Sequence, residues 1–119
     1  MRIIRDSENN WIEGKEDLNY KKKVLIENIP KSINLIQRVI IPKKGKIPIH
    51  AHKQTSEVFY ICNGFLKILG KEETILKKGD IVFVEKEEDH GFINDGNEDI
   101  EMLVFKINFE KGDEILRKR

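Results

Sequence analysis

Short runs of β-forming residues, separated by turn signals, follow one another along most of this chain. The runs cover residues 20–28, 33–41, 58–62, 65–69, 73–76, 81–85, 91–93 and 100–108. The intervening segments 42–45, 63–64, 77–80 and 94–97 contain Gly or Asn, which tight turns use where φ is positive. So many short strands with regular turns predict an all-β fold, an antiparallel sandwich or barrel.

The two ends of the chain are less regular. No segment between residues 33 and 108 has a helical apolar stripe, and the charged tail 111–119 is expected to form a short helix with Asp113 as its cap. Residues 1–5 and 11–14 could add strands, and we expect the N-terminal 1–30 to pair with a neighbouring subunit and protect a sheet edge. The length of 119 residues suits one domain, residues 1–119.

Charge and composition exclude several classes of partner. Lys and Arg number 22 and Asp and Glu 21, so the net charge of +1 leaves no basic footprint for nucleic acid. No apolar run approaches the roughly 18 residues of a membrane span, and the first residues lack the apolar region of a signal peptide. The lone Cys62 cannot form an internal disulfide. A cytoplasmic protein without membrane or nucleic-acid partners is therefore expected.

All three histidines lie in the central region, and two of them form the triplet His50-Ala51-His52. Residues two apart on a strand point to the same face, so both imidazoles can converge on one point. Glu57 begins the next run, and a hairpin return would bring its carboxylate beside them. His90, from a distant strand, would complete a set that suits one divalent ion of Mn, Fe, Co, Ni, Cu or Zn. A His-x-His pair alone is weak evidence, since a strand histidine is more often a surface or core residue.

The spacing around these residues resembles the two motifs of the cupin superfamily, G(X)5HXH(X)3,4E(X)6G and G(X)5PXG(X)2H(X)3N. The first reads GKIPIHAHKQTSEVFYICNG here, with four rather than five residues before His50. The second reads GDIVFVEKEEDHGFIN, where Glu85 and Glu87 replace the Pro and the second Gly. The resemblance covers about residues 33–109 and matches all four ligand positions. It implies a jelly-roll barrel of the double-stranded β-helix type, with the metal between two antiparallel sheets, and often a homodimer.

Strand alternation suggests which other side chains could contact a ligand. If Glu57 and His90 face inward, so do Phe59 and Phe92, which are then candidates for a substrate wall or plain core residues. Tyr60 falls on the opposite face. One of the neighbours Gln37 and Arg38 must face inward, where an arginine could clamp a carboxylate, and a surface position of Arg38 is the alternative.

The resemblance implies two classes of function. One is a metal-dependent enzyme of dioxygenase, isomerase, decarboxylase or lyase type that acts on a small chelating metabolite, with Glu57 as a base. The alternative is a non-catalytic protein that binds or senses a small molecule in the same pocket. A metal that only stabilises the barrel is a third reading, which an open nitrogen-rich site does not favour.

Overall fold

The computed structural model describes residues 1–13, 21–22 and 33–117 of the chain. These residues form twelve strands and one short 3-10 helix, Asp6–Glu8. The strands are β1 Arg2–Ile4, β2 Ile12–Glu13, β3 Lys21–Lys22, β4 Ile33–Ile41, β5 Lys46–His52, β6 Ser56–Ile61, β7 Phe65–Leu69, β8 Thr74–Lys77, β9 Ile81–Val84, β10 His90–Ile93, β11 Ile100–Ile107 and β12 Glu114–Leu116. The predicted runs from residue 33 to residue 108 each coincide with a strand, whereas most of the run 20–28 lies outside the described residues.

Two five-stranded sheets make up the barrel. The first has the strand order β1-β9-β6-β11-β4 and the second the order β12-β5-β10-β7-β8, while β2 and β3 form a separate pair. Neighbouring strands pair antiparallel in both sheets. The predicted all-β, antiparallel jelly-roll class is confirmed.

The main apolar core lies between the two sheets. Phe59 and Ile61 of β6 belong to it, together with Phe92 of β10, and each is 4 % exposed or less. Tyr60 packs instead with a second apolar cluster that contains Val58. The alternation predicted for β6 is therefore confirmed, and it places every second side chain of this strand, Glu57 included, toward the facing sheet.

Two of the predicted turns need a glycine because of their backbone conformation. Gly64, between β6 and β7, has a φ of 65°, and Gly79, between β8 and β9, has a φ of 89°. Residues with a Cβ atom rarely adopt this left-handed conformation. Both turns connect a strand of one sheet to a strand of the other.

The N-terminal strand β1 pairs within its own chain. Arg2 to Ile4 lie antiparallel to β9 and cover the edge of the first sheet. Arg5 then donates a hydrogen bond to Asp80, a fully buried carboxylate, with Nη1 2.5 Å from Oδ2. The use of the N-terminal 1–30 in a homodimer stays a prediction.

The predicted C-terminal helix is wrong. Residues Glu114–Leu116 form the strand β12, which pairs antiparallel with β5. Asp113 caps no helix, because both of its carboxylate oxygens accept hydrogen bonds from His52 and from the segment that follows β5. Main-chain pairing with a barrel strand outweighs the helical propensity of so short a tail. No helix among the described residues is long and apolar enough to cross a membrane.

Candidate metal centre

Four buried side chains converge at one point between the sheets. His50, His52, Glu57 and His90 each offer a ligand atom, and these atoms all lie within 4.8 Å of one another. One carboxylate oxygen of Glu57, Oε1, lies 3.1 Å from Nε2 of both His52 and His90. The structure thus brings together all four residues that the sequence predicts as ligands.

The four residues come from three strands in two sheets. His50 and His52 lie on β5, and His90 lies on the neighbouring strand β10, directly opposite His50. Glu57 lies on β6, which belongs to the other sheet. The expected hairpin return between His52 and Glu57 is therefore wrong: the loop after β5 crosses to the facing sheet. The three imidazoles share one sheet, and the carboxylate reaches them across the barrel.

An irregularity in β5 aims the histidines inward. His90 pairs with His50 and Phe92 with Ile47, so β5 has one more residue than β10 between these pairs. Pro48 and Ile49 together stand opposite the single residue Gly91. Pro48 has no N–H to donate to a ladder and is tolerated at bulges. Ile47 packs on the core, and the bulge changes the parity so that the even-numbered His50 faces the same interior.

The second ring nitrogen of each histidine has a fixed partner. Nδ1 of His50 lies 2.7 Å from the carbonyl oxygen of Pro48, and Nδ1 of His90 lies 3.0 Å from that of Glu88. Nδ1 of His52 lies 3.0 Å from Oδ1 of Asp113. Carbonyl and carboxylate oxygens only accept hydrogen bonds, so each Nδ1 carries a hydrogen and Nε2 is the ring atom that would bind a metal ion. Without an ion, the Nε2 atoms of His52 and His90 donate to Oε1 of Glu57.

Electrostatics in the cluster favour an ionised carboxylate. Burial raises the pKa of Glu57, but hydrogen bonds from His52 and His90 outweigh burial and lower this pKa to about 2. The contact with Glu57 raises the pKa of His52, and burial lowers the pKa of His50. Burial therefore favours the neutral, metal-binding form of His50, whereas the contact with Glu57 favours the protonated form of His52, with which a metal ion would compete.

Asp113 is a site residue that the sequence did not reveal. Its Oδ2 accepts hydrogen bonds from the N–H groups of Gln54 and Thr55 and from the Thr55 hydroxyl, while Oδ1 orients His52. Burial raises the pKa of Asp113, and these donors together lower it below its usual value. A single acidic residue in a charged tail carries no sequence signal for such a role.

Asp113→Asn is expected to lower the metal affinity by about 10–100-fold, as is typical when a ligand's hydrogen-bond partner is lost. In this variant the side-chain amide oxygen still accepts hydrogen bonds from the N–H groups of Gln54 and Thr55. The amide NH2 group then faces Nδ1 of His52. The imidazole then carries its hydrogen on Nε2, the atom required for the metal. Thr55→Val is the matched control, because it removes one hydrogen bond to Asp113 and leaves His52 unchanged. Equal metal affinities of the two variants by calorimetry would contradict this role.

Two charged side chains border the cluster. Lys106 of β11 has its Nζ 3.8 Å from Oε2 of Glu57, and its side chain is only 14 % exposed. Glu114 of β12 lies at the outer side, with Oε1 4.0 Å from Nε2 of His50, and it is half exposed. Period-2 alternation from the core residue Val104 would have predicted an inward Lys106.

The predicted substrate contacts have different positions. Phe59 and Phe92 lie beneath the cluster with ring centroids 5.0 Å apart, and the Phe59 ring is 5.8 Å from that of His90. Both belong to the core, and a contact with substrate stays a prediction. Of the two positions considered for Arg38, the structure has the surface one: its guanidinium faces solvent and forms two hydrogen bonds with Glu101, so it is no inward clamp for a carboxylate. Gln37 is the half-buried neighbour.

The donor set itself fits a transition-metal ion. Three imidazole nitrogens and one carboxylate oxygen suit Mn, Fe, Co, Ni, Cu and Zn better than Mg or Ca, which prefer oxygen ligands throughout. His50 and His52, at 8 % and 7 % exposed, are the members nearest to solvent, whereas His90 is 1 % exposed.

Comparisons with known proteins agree with this architecture. The chain is 28% identical over 113 residues to a protein of Thermotoga maritima named oxalate-binding protein. The aligned region covers 88% of this chain and 93% of the relative. The structure of a predicted oxalate decarboxylase from Thermotoga maritima has a TM-score of 0.61 at 24% identity, with 89% of this chain and 98% of that chain covered. A double-stranded β-helix protein from Klebsiella pneumoniae has a TM-score of 0.65 at 20% identity, covering 75% and 84%.

The family of this chain is shown by a match to a protein-family model. The cupin domain model matches residues 37–106, more than half of the chain. The matched segment includes His50, His52, Glu57 and His90. Together with the two-sheet barrel, this match shows that the chain belongs to the cupin domain family.

Proposed function

We propose that this chain holds one divalent transition-metal ion and uses it to bind a small chelating carboxylate, with oxalate as the first candidate. The ion would be held by Nε2 of His50, His52 and His90 and by the carboxylate of Glu57. The observation that carries the proposal is the convergence of these four buried ligand atoms within 4.8 Å. A cluster of three imidazoles around one carboxylate has no comparable use in a strand-rich core.

The arrangement of the partners supports metal binding over a purely structural role. Each Nδ1 has a carbonyl or carboxylate partner, so all three Nε2 atoms are directed to one place. Partners of this kind fix the tautomer and the ring orientation of metal-binding histidines. A core histidine without a ligand does not need such a set.

The ligand class follows from the curated relative and from the chemistry of the centre. The match to this chain covers 93% of the Thermotoga maritima relative, and that relative is named for oxalate binding. When bound, the ion supplies a Lewis acid with coordination positions for a ligand outside the four protein donors. A dicarboxylate with adjacent carboxyl groups can occupy two such positions through two oxygens.

The enzyme function expected from the sequence stays a prediction, and so does a base role of Glu57. The pKa of this carboxyl is lowered to about 2, and a group with so low a pKa accepts protons poorly near neutral pH. The geometry therefore supports Glu57 as a ligand more than as a base. We accordingly propose binding as the primary function and turnover as the activity to be measured beside it.

The test starts from protein stripped of metal and reloaded separately with Mn, Fe, Co, Ni and Zn. We expect about one equivalent per chain by elemental analysis and a rise of the melting temperature when oxalate is added. A ligand at 100 times its Kd stabilises the folded state by about 2.7 kcal/mol. The metal-free protein is the control and should not respond to oxalate.

Four results separate the alternatives. Failure to load any metal would overturn the proposal. An equal oxalate response of the metal-free protein would overturn the role of the ion in ligand binding. Consumption of oxalate by the loaded protein would show turnover at the same centre, and Glu57→Gln with full activity and metal content would exclude Glu57 as the base.

A further inference from the structure

Among the described residues, Lys106 is the one lysine or arginine that forms an ion pair with a member of the four-residue cluster. It lies on β11 with its Cα opposite that of Glu57 on β6. Its Nζ is 3.8 Å from Oε2 of Glu57 and 5.2 Å from the centroid of the Phe109 ring. Since its side chain is 14 % exposed, this ammonium group is largely withdrawn from water.

The ammonium group has unused hydrogen-bonding capacity. An ammonium carries three N–H donors, and 3.8 Å exceeds the distance of a hydrogen bond. Within the part of the chain that the structure describes, Lys106 has an ion pair and a ring contact but no hydrogen-bond acceptor. Withdrawing a cation from water without acceptors is unfavourable, and an anion that accepts these donors removes the cost.

The charges around the centre favour such an anion. A divalent ion with one carboxylate and three neutral imidazoles has a net charge of +1. Lys106 adds one positive charge and the buried carboxylate of Asp113 behind His52 adds one negative charge, so the local charge is +1. Glu114 opposes it only weakly, because it is half exposed and its Oε1 is 4.0 Å from Nε2 of His50. An anionic chelator compensates this charge, whereas a neutral chelator does not.

We propose that Lys106 determines the specificity of this site, by donating hydrogen bonds to a carboxylate of the bound chelator and so selecting anionic over neutral chelators. This inference rests on the proposed function and adds to it the residue that selects the ligand and the charge of the ligand that is selected. Lys106 is not a metal ligand in this proposal. Its alternative role is structural, namely to hold Glu57 in place for the metal.

Three ligands of nearly equal size and graded charge distinguish the two roles. Oxalate is a dianion, oxamate a monoanion and oxamide neutral, and all three can offer two oxygens to the ion. Calorimetry on the cobalt-loaded protein measures their affinities, and elemental analysis of the same samples reports the metal content. If Lys106 only holds Glu57 in place, replacing it should lower the metal content and all three affinities together.

We expect Lys106→Met to weaken oxalate binding at least about tenfold, which is the effect of losing a hydrogen bond between charged groups. Oxamate binding should weaken less, oxamide binding should not change, and the metal content should stay near that of the wild type. Lys106→Arg keeps the charge and should retain most of the preference for oxalate. Lys106→Gln, which keeps a polar side chain, replaces the methionine variant if that variant does not fold.

Lys67→Met is the matched control for the loss of a lysine. Lys67 is also partly buried, and its Nζ lies 3.8 Å from Glu73 and 3.7 Å from Asp95, on a strand that carries no metal ligand. Its affinities for the three ligands should equal those of the wild type. Lys67→Met that weakens oxalate binding as much as Lys106→Met would show a general charge effect and overturn the inference.

Two further outcomes would overturn the inference, and they can be told apart from failure of the proposed function. If loaded wild type binds oxalate and Lys106→Met binds it equally well, Lys106 does not set specificity. If the Lys106 variants lose the metal together with all three ligands, its role is structural. If wild type takes up no metal or binds no oxalate, the proposed function fails as well.

Discussion

His90→Gln is expected to lower the affinity of the chain for Co2+ by more than about 100-fold, beyond the 10–100-fold typical of losing only a ligand's partner. An amide oxygen is a much poorer ligand for this ion than an imidazole nitrogen. His90 is the donor that β10 contributes, and it lies opposite His50. Calorimetric titration of the metal-free protein with Co2+ gives both affinity and stoichiometry.

The remaining ligands should keep their positions in this variant. His50 is held by the carbonyl of Pro48 and His52 by Asp113, and neither contact involves His90. Glutamine can still donate a hydrogen bond to Glu57, so unfolding in the presence of EDTA should change by no more than about 1 kcal/mol. A His90→Gln variant that binds Co2+ as tightly as the wild type would exclude His90 from the ligand set.

Gly91→Ala is expected to destabilise the metal-free protein by about 3 kcal/mol, at the upper end of the usual cost of overpacking. An added Cβ would lie 2.8 Å from the carbonyl oxygen of Ile47 and 3.0 Å from the nitrogen of Ile49. Both atoms are main chain, at the bulge of β5, so no side chain can turn away. Relief requires β10 to move from β5, which separates His90 from His50 and weakens metal binding as well.

Gly96→Ala is the control for this substitution. An added Cβ at this position meets only Oδ1 of Asn94 at 3.4 Å, an ordinary contact. Urea unfolding should show a change of no more than about 0.5 kcal/mol for Gly96→Ala, as for most surface substitutions. Equal stabilities of the two variants would mean that β5 and β10 do not approach as closely as described.

The strands and the members of the four-residue cluster were predictable because they depend on local alternation and on motif spacing along the chain. Period-2 alternation placed Phe59 inward and Tyr60 outward, as the structure has them. The spacing of the histidines and of Glu57 matched two family motifs. Both features can be predicted without knowing which strands become neighbours in the sheets.

The arrangement of the ligands across the barrel was not predictable in the same way. Whether Glu57 returns beside His52 or crosses to the facing sheet depends on the strand order, and both routes fit a loop of the same length. The bulge in β5, between Ile47 and His50, also changes the parity within one strand, which a strict count of two cannot follow. Long-range pairing decided both points.

The C-terminal segment shows a different limit. A three-residue strand with a charged flank has no recognisable pattern, and helix propensity was the only signal in residues 111–119. β12 forms because β5 offers unpaired main-chain groups, and Arg117 donates its N–H to the carbonyl of Ile49 over 3.0 Å. This strand positions Asp113 behind His52, so the partner of a ligand came from the segment with the weakest prediction.

X-ray absorption spectroscopy of the cobalt-loaded wild type tests the four-ligand centre most directly. We expect about one ion per chain, with scattering from three imidazole rings and one carboxylate, and we expect the imidazole contribution to fall to two rings in His90→Gln. A wild-type spectrum with fewer than three imidazoles, or an unchanged spectrum in the variant, would contradict a centre made of His50, His52, Glu57 and His90.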